Sequence, residues 1–136
     1  MASAITTVLL LPGWQNSGPA HWQSRWEALQ PAPFHLVRVE QSDWMRPLRG
    51  DWMMQLEEAV LATPGPVLLA AHSLGCMLTA AWAEHSQNAH RVKGALLVAP
   101  GDPEREELQA VLKSWWPVVR KPLPFASTLL GSEDDP

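Results

Sequence analysis

The chain has 136 residues, 46% hydrophobic and 18% charged, with a formal charge of −4 and one cysteine. At this size a single domain over residues 1–136 buries roughly two-thirds of the surface its unfolded chain exposes and needs no disulfide or metal. Mild acidity without a Lys/Arg run excludes a phosphate-neutralising nucleic-acid face and a basic membrane-surface helix, while the lone Cys76 excludes a disulfide framework and points to a reducing compartment, the cytoplasm by default.

The first segment, Met1 to Leu11, is apolar but lacks a basic flank and a small-residue cleavage site, so it reads as a buried strand rather than a signal peptide. Four more apolar runs follow: Leu36–Glu40, Val67–Ala71, Ala95–Ala99 and Phe125–Leu130. Their starts, counted from Ile5, lie roughly 30 residues apart, the length of a strand plus its crossover helix. The runs are nearly continuous rather than alternating, as in a parallel sheet covered on both faces.

Helical patterns fill the intervals. Ser17 with Pro19 marks a helix start, after which Trp22, Trp26 and Leu29 share one face as packing residues. Asp51 is placed to cap a second helix whose Trp52, Leu56, Ala59 and Val60 point inward while Gln55, Glu57 and Glu58 face water. A third helix is predicted from about Leu74 to Ser86, with Leu78, Ala81 and Trp82 inward. Glu104 to Lys113 is a charged, helix-compatible stretch, and Trp115 and Trp116 follow it.

The third strand ends in Ala71-His72-Ser73-Leu74-Gly75 and runs directly into a helix. That is a nucleophile-elbow pattern with Ala in place of the first Gly: small residues two positions either side of the Ser let neighbouring backbone approach a strained turn. The position sits at the carboxyl edge of the inferred sheet, where open parallel sheets bind ligands. The Leu74 amide, free of helix bonds, is one candidate oxyanion donor. The Trp14 amide, beside Gly13 in the loop after the first strand, is the second. No metal-binding or cofactor-binding string is present: no His-Glu-x-x-His, no paired Cys, no phosphate-cradling Gly run. Cys76 reads as a small buried residue beside the elbow.

Pro12-Gly13-Trp14, Ser17-Gly18-Pro19, His21-Trp22, Asp51-Trp52, the Ala71–Cys76 elbow, Val98-Ala99-Pro100, Leu123-Pro124-Phe125 and Asp134-Asp135-Pro136 occur in this order. The set resembles the small α/β-hydrolases of the retinoblastoma-binding-protein-9 and YdeN-like group, over the whole chain. The resemblance implies a three-layer α/β sandwich with a mostly parallel sheet of about five strands and helices on both faces. It further implies a serine hydrolase of small carboxylic esters or related acyl compounds, with Ser73 as nucleophile and Asp135 as triad acid, Asp134 being the alternative. The family's catalytic His follows a further helix and strand, and no residue after Asp135 in this sequence supplies it. Activity is therefore expected to be impaired, and the fifth strand's outer edge to favour self-association.

Among the histidines present, His21 near the loop edge and His72 beside the nucleophile are structural residues near the site, with His21 the alternative base. His35, His85 and His90 read as surface or helix-end residues. Trp14, Trp115 and Trp116 are the expected walls of the acyl pocket. The competing reading is a non-catalytic binding or regulatory module on the same fold. The retinoblastoma-protein-binding string Leu-x-Cys-x-Glu is not met, since Leu74-Gly75-Cys76-Met77-Leu78 lacks the acid.

Overall fold

A computed structural model of the protein describes residues 5–13, 21–31, 33–41, 43–44, 47–98, 115 and 123–130. In chain order these form β1 (Thr7–Leu11), α1 (Trp22–Leu29), β2 (His35–Arg38), α2 (Arg49–Ala62), β3 (Val67–His72), α3 (Leu74–His85), one 3-10 turn (Ala89–Arg91), β4 (Val92–Val98) and β5 (Ala126–Leu130). The five strands make one parallel sheet in the order β2-β1-β3-β4-β5. The fold is of the α/β-hydrolase type. Each strand predicted from the apolar runs is present, with ends displaced by up to three residues.

This strand order determines where the helices lie. Crossovers between parallel strands are right-handed, so α1, which connects β1 outward to β2, lies on one face, and α2 and α3, which progress the other way, lie on the opposite face. The side chains of β1 divide accordingly. Leu9 and Leu11 join Leu69 and Ala71 of β3 in a core with Trp52, Leu56 and Val60 of α2 and Leu78 and Trp82 of α3. Val8 and Leu10 join Leu36 and Ala70 against Trp22 of α1. An apolar trough of about 550 Å³ continues along this second face, bordered by Trp26, Phe34, Leu68, Gly94 and Leu96. It lies on the broad face of the sheet, away from the strand ends that carry chemistry. β5 pairs with β4 on its inner side, and among the described residues no strand pairs its outer edge.

Several expectations are corrected. The described helix α1 begins at Trp22 with His21 in extended conformation as its cap, while Ser17 and Pro19 lie outside the described residues. Its apolar stripe is only partly used: Trp22 packs half-buried, but Trp26 is 38% and Leu29 75% exposed, and the fully buried residue of the helix is Gln23. Asp51 does not cap α2. That helix starts after Leu48, so Asp51 sits inside the first turn, where a carboxylate complements the helix dipole instead. Trp115 belongs to the core rather than to a pocket wall. It is 1% exposed, its ring stands edge-on to Trp52 at 5.6 Å, and its Nε1 donates to the Pro47 carbonyl at 2.9 Å. Trp116 and the 104–113 stretch lie outside the described residues.

Glu57, expected to face water, ties α2 to the end of α3. Its Oε1 accepts from Trp82 Nε1 at 2.9 Å and Ser86 Oγ at 2.6 Å, and its Oε2 accepts from Asn88 Nδ2 at 2.6 Å. The Ser86 hydrogen bond, with help from Trp82 and Asn88 and against partial burial, holds this carboxyl below its ordinary value. Its contribution to stability is therefore complete above the ordinary carboxylate range and lost as pH falls through the lowered value. Glu57→Ala leaves the buried Trp82 indole N–H without its acceptor and is expected to destabilise by about 1–3 kcal/mol in urea titrations. An Ala variant as stable as the parent would show that the network contributes nothing.

Candidate active site

Ser73 occupies the single residue between β3 and α3, with φ 54° and ψ −116°. A side chain with a Cβ rarely adopts this region, and holding one there costs of order 1–3 kcal/mol. Two backbone hydrogen bonds secure it: the Ser73 amide donates to the Val98 carbonyl at the end of β4 (3.1 Å), and the Ser73 carbonyl accepts from the Cys76 amide (2.9 Å). The residue itself is half-buried.

Two glycines make room for the turn. A Cβ on Gly75 would lie 2.1 Å from the Leu11 carbonyl oxygen and 2.9 Å from its carbon, so the first turn of α3 rests directly on the last peptide of β1. A Cβ on Gly13 would lie 3.1 Å from the Ser73 Cβ, 3.3 Å from the His72 carbonyl oxygen and 3.4 Å from the Leu74 amide nitrogen. Neither glycine has positive φ. Gly13 thus supplies space rather than flexibility: a Cβ there would crowd the Ser73 Cβ and lie against the Leu74 amide nitrogen. That amide is the first of α3 and has no acceptor within the helix, so it can meet an oxyanion.

The two histidines of the site lie together. The His21 and His72 rings meet edge-on with centroids 4.4 Å apart, and Trp22 lies beyond, 6.4 Å from His72. His21 Nδ1 accepts from the Gln23 amide at 3.2 Å as the cap of α1. Burial, followed by the charges of His72 and Arg38, pushes the His21 imidazole below its ordinary value. The fold therefore favours the neutral ring, and that preference stabilises the protein above the ordinary imidazole range and is lost as pH falls through the lowered value. His35, His85 and His90 are exposed, at the start of β2, the end of α3 and in the 3-10 turn. Cys76 is 3% exposed, its Sγ faces the Val98 carbonyl at 3.6 Å, and burial raises its thiol to about 12, which makes it a packing residue rather than a nucleophile.

Trp14, Asp134 and Asp135 lie outside the described residues. Ser73, Leu74, Gly13 and Gly75 meet at the carboxyl ends of β1 and β3, with His72 at the end of β3 and, against its ring, His21 at the start of α1. Among the described residues no group of three or more His, Cys, Asp or Glu is placed to hold a metal ion, and no helix is long and apolar enough to cross a membrane. Sequence reasoning missed Gln23. It lay in a stripe read by its aromatic neighbours, and its burial depends on the β1 and β3 ends that only the fold brings beside it.

The strain at Ser73 can be measured. Glycine adopts its φ and ψ without a Cβ clash, so Ser73→Gly is expected to raise folding stability by about 0.5–2 kcal/mol, the relief of strain exceeding glycine's own entropic cost. Ser73→Ala keeps the Cβ and should leave stability nearly unchanged. If chemical denaturation shows Gly no more stable than Ala, the turn is not strained.

Solved structures share this fold. A YdeN-like hydrolase from Pectobacterium atrosepticum superposes with a TM-score of 0.74 at 27% identity over 92% of this chain and 62% of its own. The chain thus spans under two-thirds of that relative's length. The ydeN gene product of B. subtilis superposes at 0.69 with 20% identity, covering 95% of this chain and 72% of that one. A metagenomic carboxyl esterase does so at 0.61 with 17% identity, covering 97% and 42%; these last two likenesses are of fold alone. No curated protein sequence matches the chain. The serine hydrolase family model, however, matches residues 8–136, from the second residue of β1 through the elbow and beyond β5, and the chain belongs to the serine hydrolase family.

Proposed function

We propose that the protein transfers acyl groups of small carboxylic esters to water through an acyl intermediate on Ser73. The observation that carries this reading is the Ser73 backbone: a non-glycine residue at φ 54°, between a parallel strand and the amino terminus of α3. Strain retained at such a position, at the edge where open parallel sheets bind ligands, is what a nucleophile elbow requires.

In the proposed reaction the Ser73 Oγ forms a bond to the ester carbonyl carbon, and the carbonyl π pair moves onto oxygen as an oxyanion facing the Leu74 amide. Collapse breaks the bond to the alcohol, which leaves with a proton, and a water molecule then repeats the sequence on the acyl-serine to release the acid. The Trp14 amide supplies the second oxyanion donor and Asp135, or its neighbour Asp134, the triad acid, as the family resemblance implies. In the triad that the resemblance implies, this acid orients an imidazole that accepts the serine proton.

None of the five histidines suits that task well. His21 has its Nδ1 committed to the α1 cap, so its neutral ring carries the proton on Nε2 and has no lone pair there to accept another. His72 has its ring against His21, and the other three lie on the surface. In a chain of these residues alone the Ser73 proton passes to solvent, and the oxyanion donors and proximity sustain slow hydrolysis. The purified protein is expected to hydrolyse p-nitrophenyl acetate slowly but above the buffer rate, and Ser73→Ala to abolish the excess. A folded protein with no excess rate, or one whose rate survives in Ser73→Ala, would overturn the proposal and favour a binding module.

A further inference from the structure

Gln23 is the fully buried polar residue of α1, at 0% exposure, in a helix whose Trp26 is 38% and Leu29 75% exposed. A glutamine amide loses two strong donors and an acceptor from water on burial, so its place must be set by partners. The Nε2 group donates to the Leu11 carbonyl at 3.0 Å and to the Ala70 carbonyl at 2.9 Å, using both hydrogens. Both partners are carbonyl oxygens, which only accept, so the NH2 end of the side chain must face them. Leu11 is the last residue of β1, paired in register with Ala71, and Ala70 pairs with Leu10, so one amide group spans the carboxyl ends of adjacent strands.

The Leu11 carbonyl is also the atom on which the elbow rests. Gly75 approaches it so closely that a Cβ there would stand 2.1 Å away. Two residues later Gly13 lies where a Cβ would come within 3.4 Å of the Ser73 Cβ, the His72 carbonyl oxygen and the Leu74 amide nitrogen. An error in the Leu11 peptide is therefore passed on at both ends: through Gly75 to the start of α3, and through Gly13 to the nucleophile and its oxyanion donor. At the other end of the clamp, the Gln23 backbone amide donates to His21 Nδ1, so the same residue joins α1's cap to the two strands.

We propose that Gln23 is a positioning residue for the Ser73 elbow: its carboxamide fixes the Leu11 and Ala70 carbonyls, and through them the spacing of the β1 loop from Ser73 and Leu74. Its catalytic consequence rests on the acyl-transfer reading above, whereas its mechanical role does not. Misplacement of a reacting group by about 1 Å typically costs on the order of a hundredfold in rate. Gln23→Met keeps the side chain's length and removes both donors. Gln23→Glu places a carboxylate against two carbonyl oxygens at neutral pH and regains one donor when protonated.

Two measurements test this. The first follows phosphonylation of Ser73 by a fluorophosphonate, resolved into a saturation constant and a first-order bonding rate, in variants verified as folded at the assay temperature. Gln23→Met is expected to lower the bonding rate on the order of tenfold or more with the saturation constant little changed. Gln23→Glu should recover part of its deficit as pH falls, relative to the parent at each pH. The second measurement needs no variant: in native-state hydrogen exchange by NMR, the Gln23 side-chain NH2 and the Ser73 amide should open with matching free energies. Equal bonding rates in a folded Gln23→Met, or a Gln23 NH2 that exchanges freely while the Ser73 amide stays protected, would overturn the proposal. Absence of labelling in the parent sinks the acyl-transfer reading, and the exchange comparison then decides the positioning role by itself.

Discussion

The site depends on one close approach: the first turn of α3 lies on the last peptide of β1, with room at Gly75 for a hydrogen and nothing larger. That contact lets the chain reverse within one residue after β3. It forces Ser73 to absorb the whole change of direction in a single strained backbone conformation. The strain persists because the surroundings over-determine it: the Ser73 amide is bonded to β4, its carbonyl is bonded within α3, and Gly13 of the β1 loop leaves space for its Cβ. A buried parallel sheet suits this arrangement, since its central strands β1, β3 and β4 are held on both sides and cannot yield.

Around this contact the polar groups are arranged to stiffen rather than to react. Cys76, three residues beyond Ser73, is kept as a thiol by burial. His21 spends a ring nitrogen on a helix cap and sits against His72, so the imidazoles next to Ser73 brace α1. Gln23 transmits that bracing to the strand ends. In the proposed reaction the Ser73 hydroxyl and the leading amide of α3 are the reacting partners, set apart from the groups that position them.

Much of this was legible in the chain. Continuous apolar runs at a near-constant period lead to a parallel sheet because both its faces are covered, and the five strands follow that period. The elbow was legible because its steric demand falls on residue types, Gly and Ala, at fixed offsets from a Ser. Less legible were features set by tertiary partners. Trp115 looked like a pocket wall and is a core residue, since its indole N–H finds the Pro47 carbonyl across the chain. Glu57 looked solvated, yet the end of α3 delivers three donors to it. In α1 the aromatic stripe suggested the buried face, but the two carbonyls at the strand ends drew the glutamine inward instead. In each case a long-range polar partner, invisible in local periodicity, decided the side chain's place.

If Ser73 is, as proposed, a strained nucleophile whose oxyanion meets the Leu74 amide, a crystal structure of the protein after reaction with diethyl p-nitrophenyl phosphate will have phosphorus bonded to the Ser73 Oγ, a positive φ at Ser73, and the phosphoryl oxygen within hydrogen-bonding distance of the Leu74 nitrogen. An adduct on another residue, or an unreacted Ser73 with negative φ, would refute the proposal.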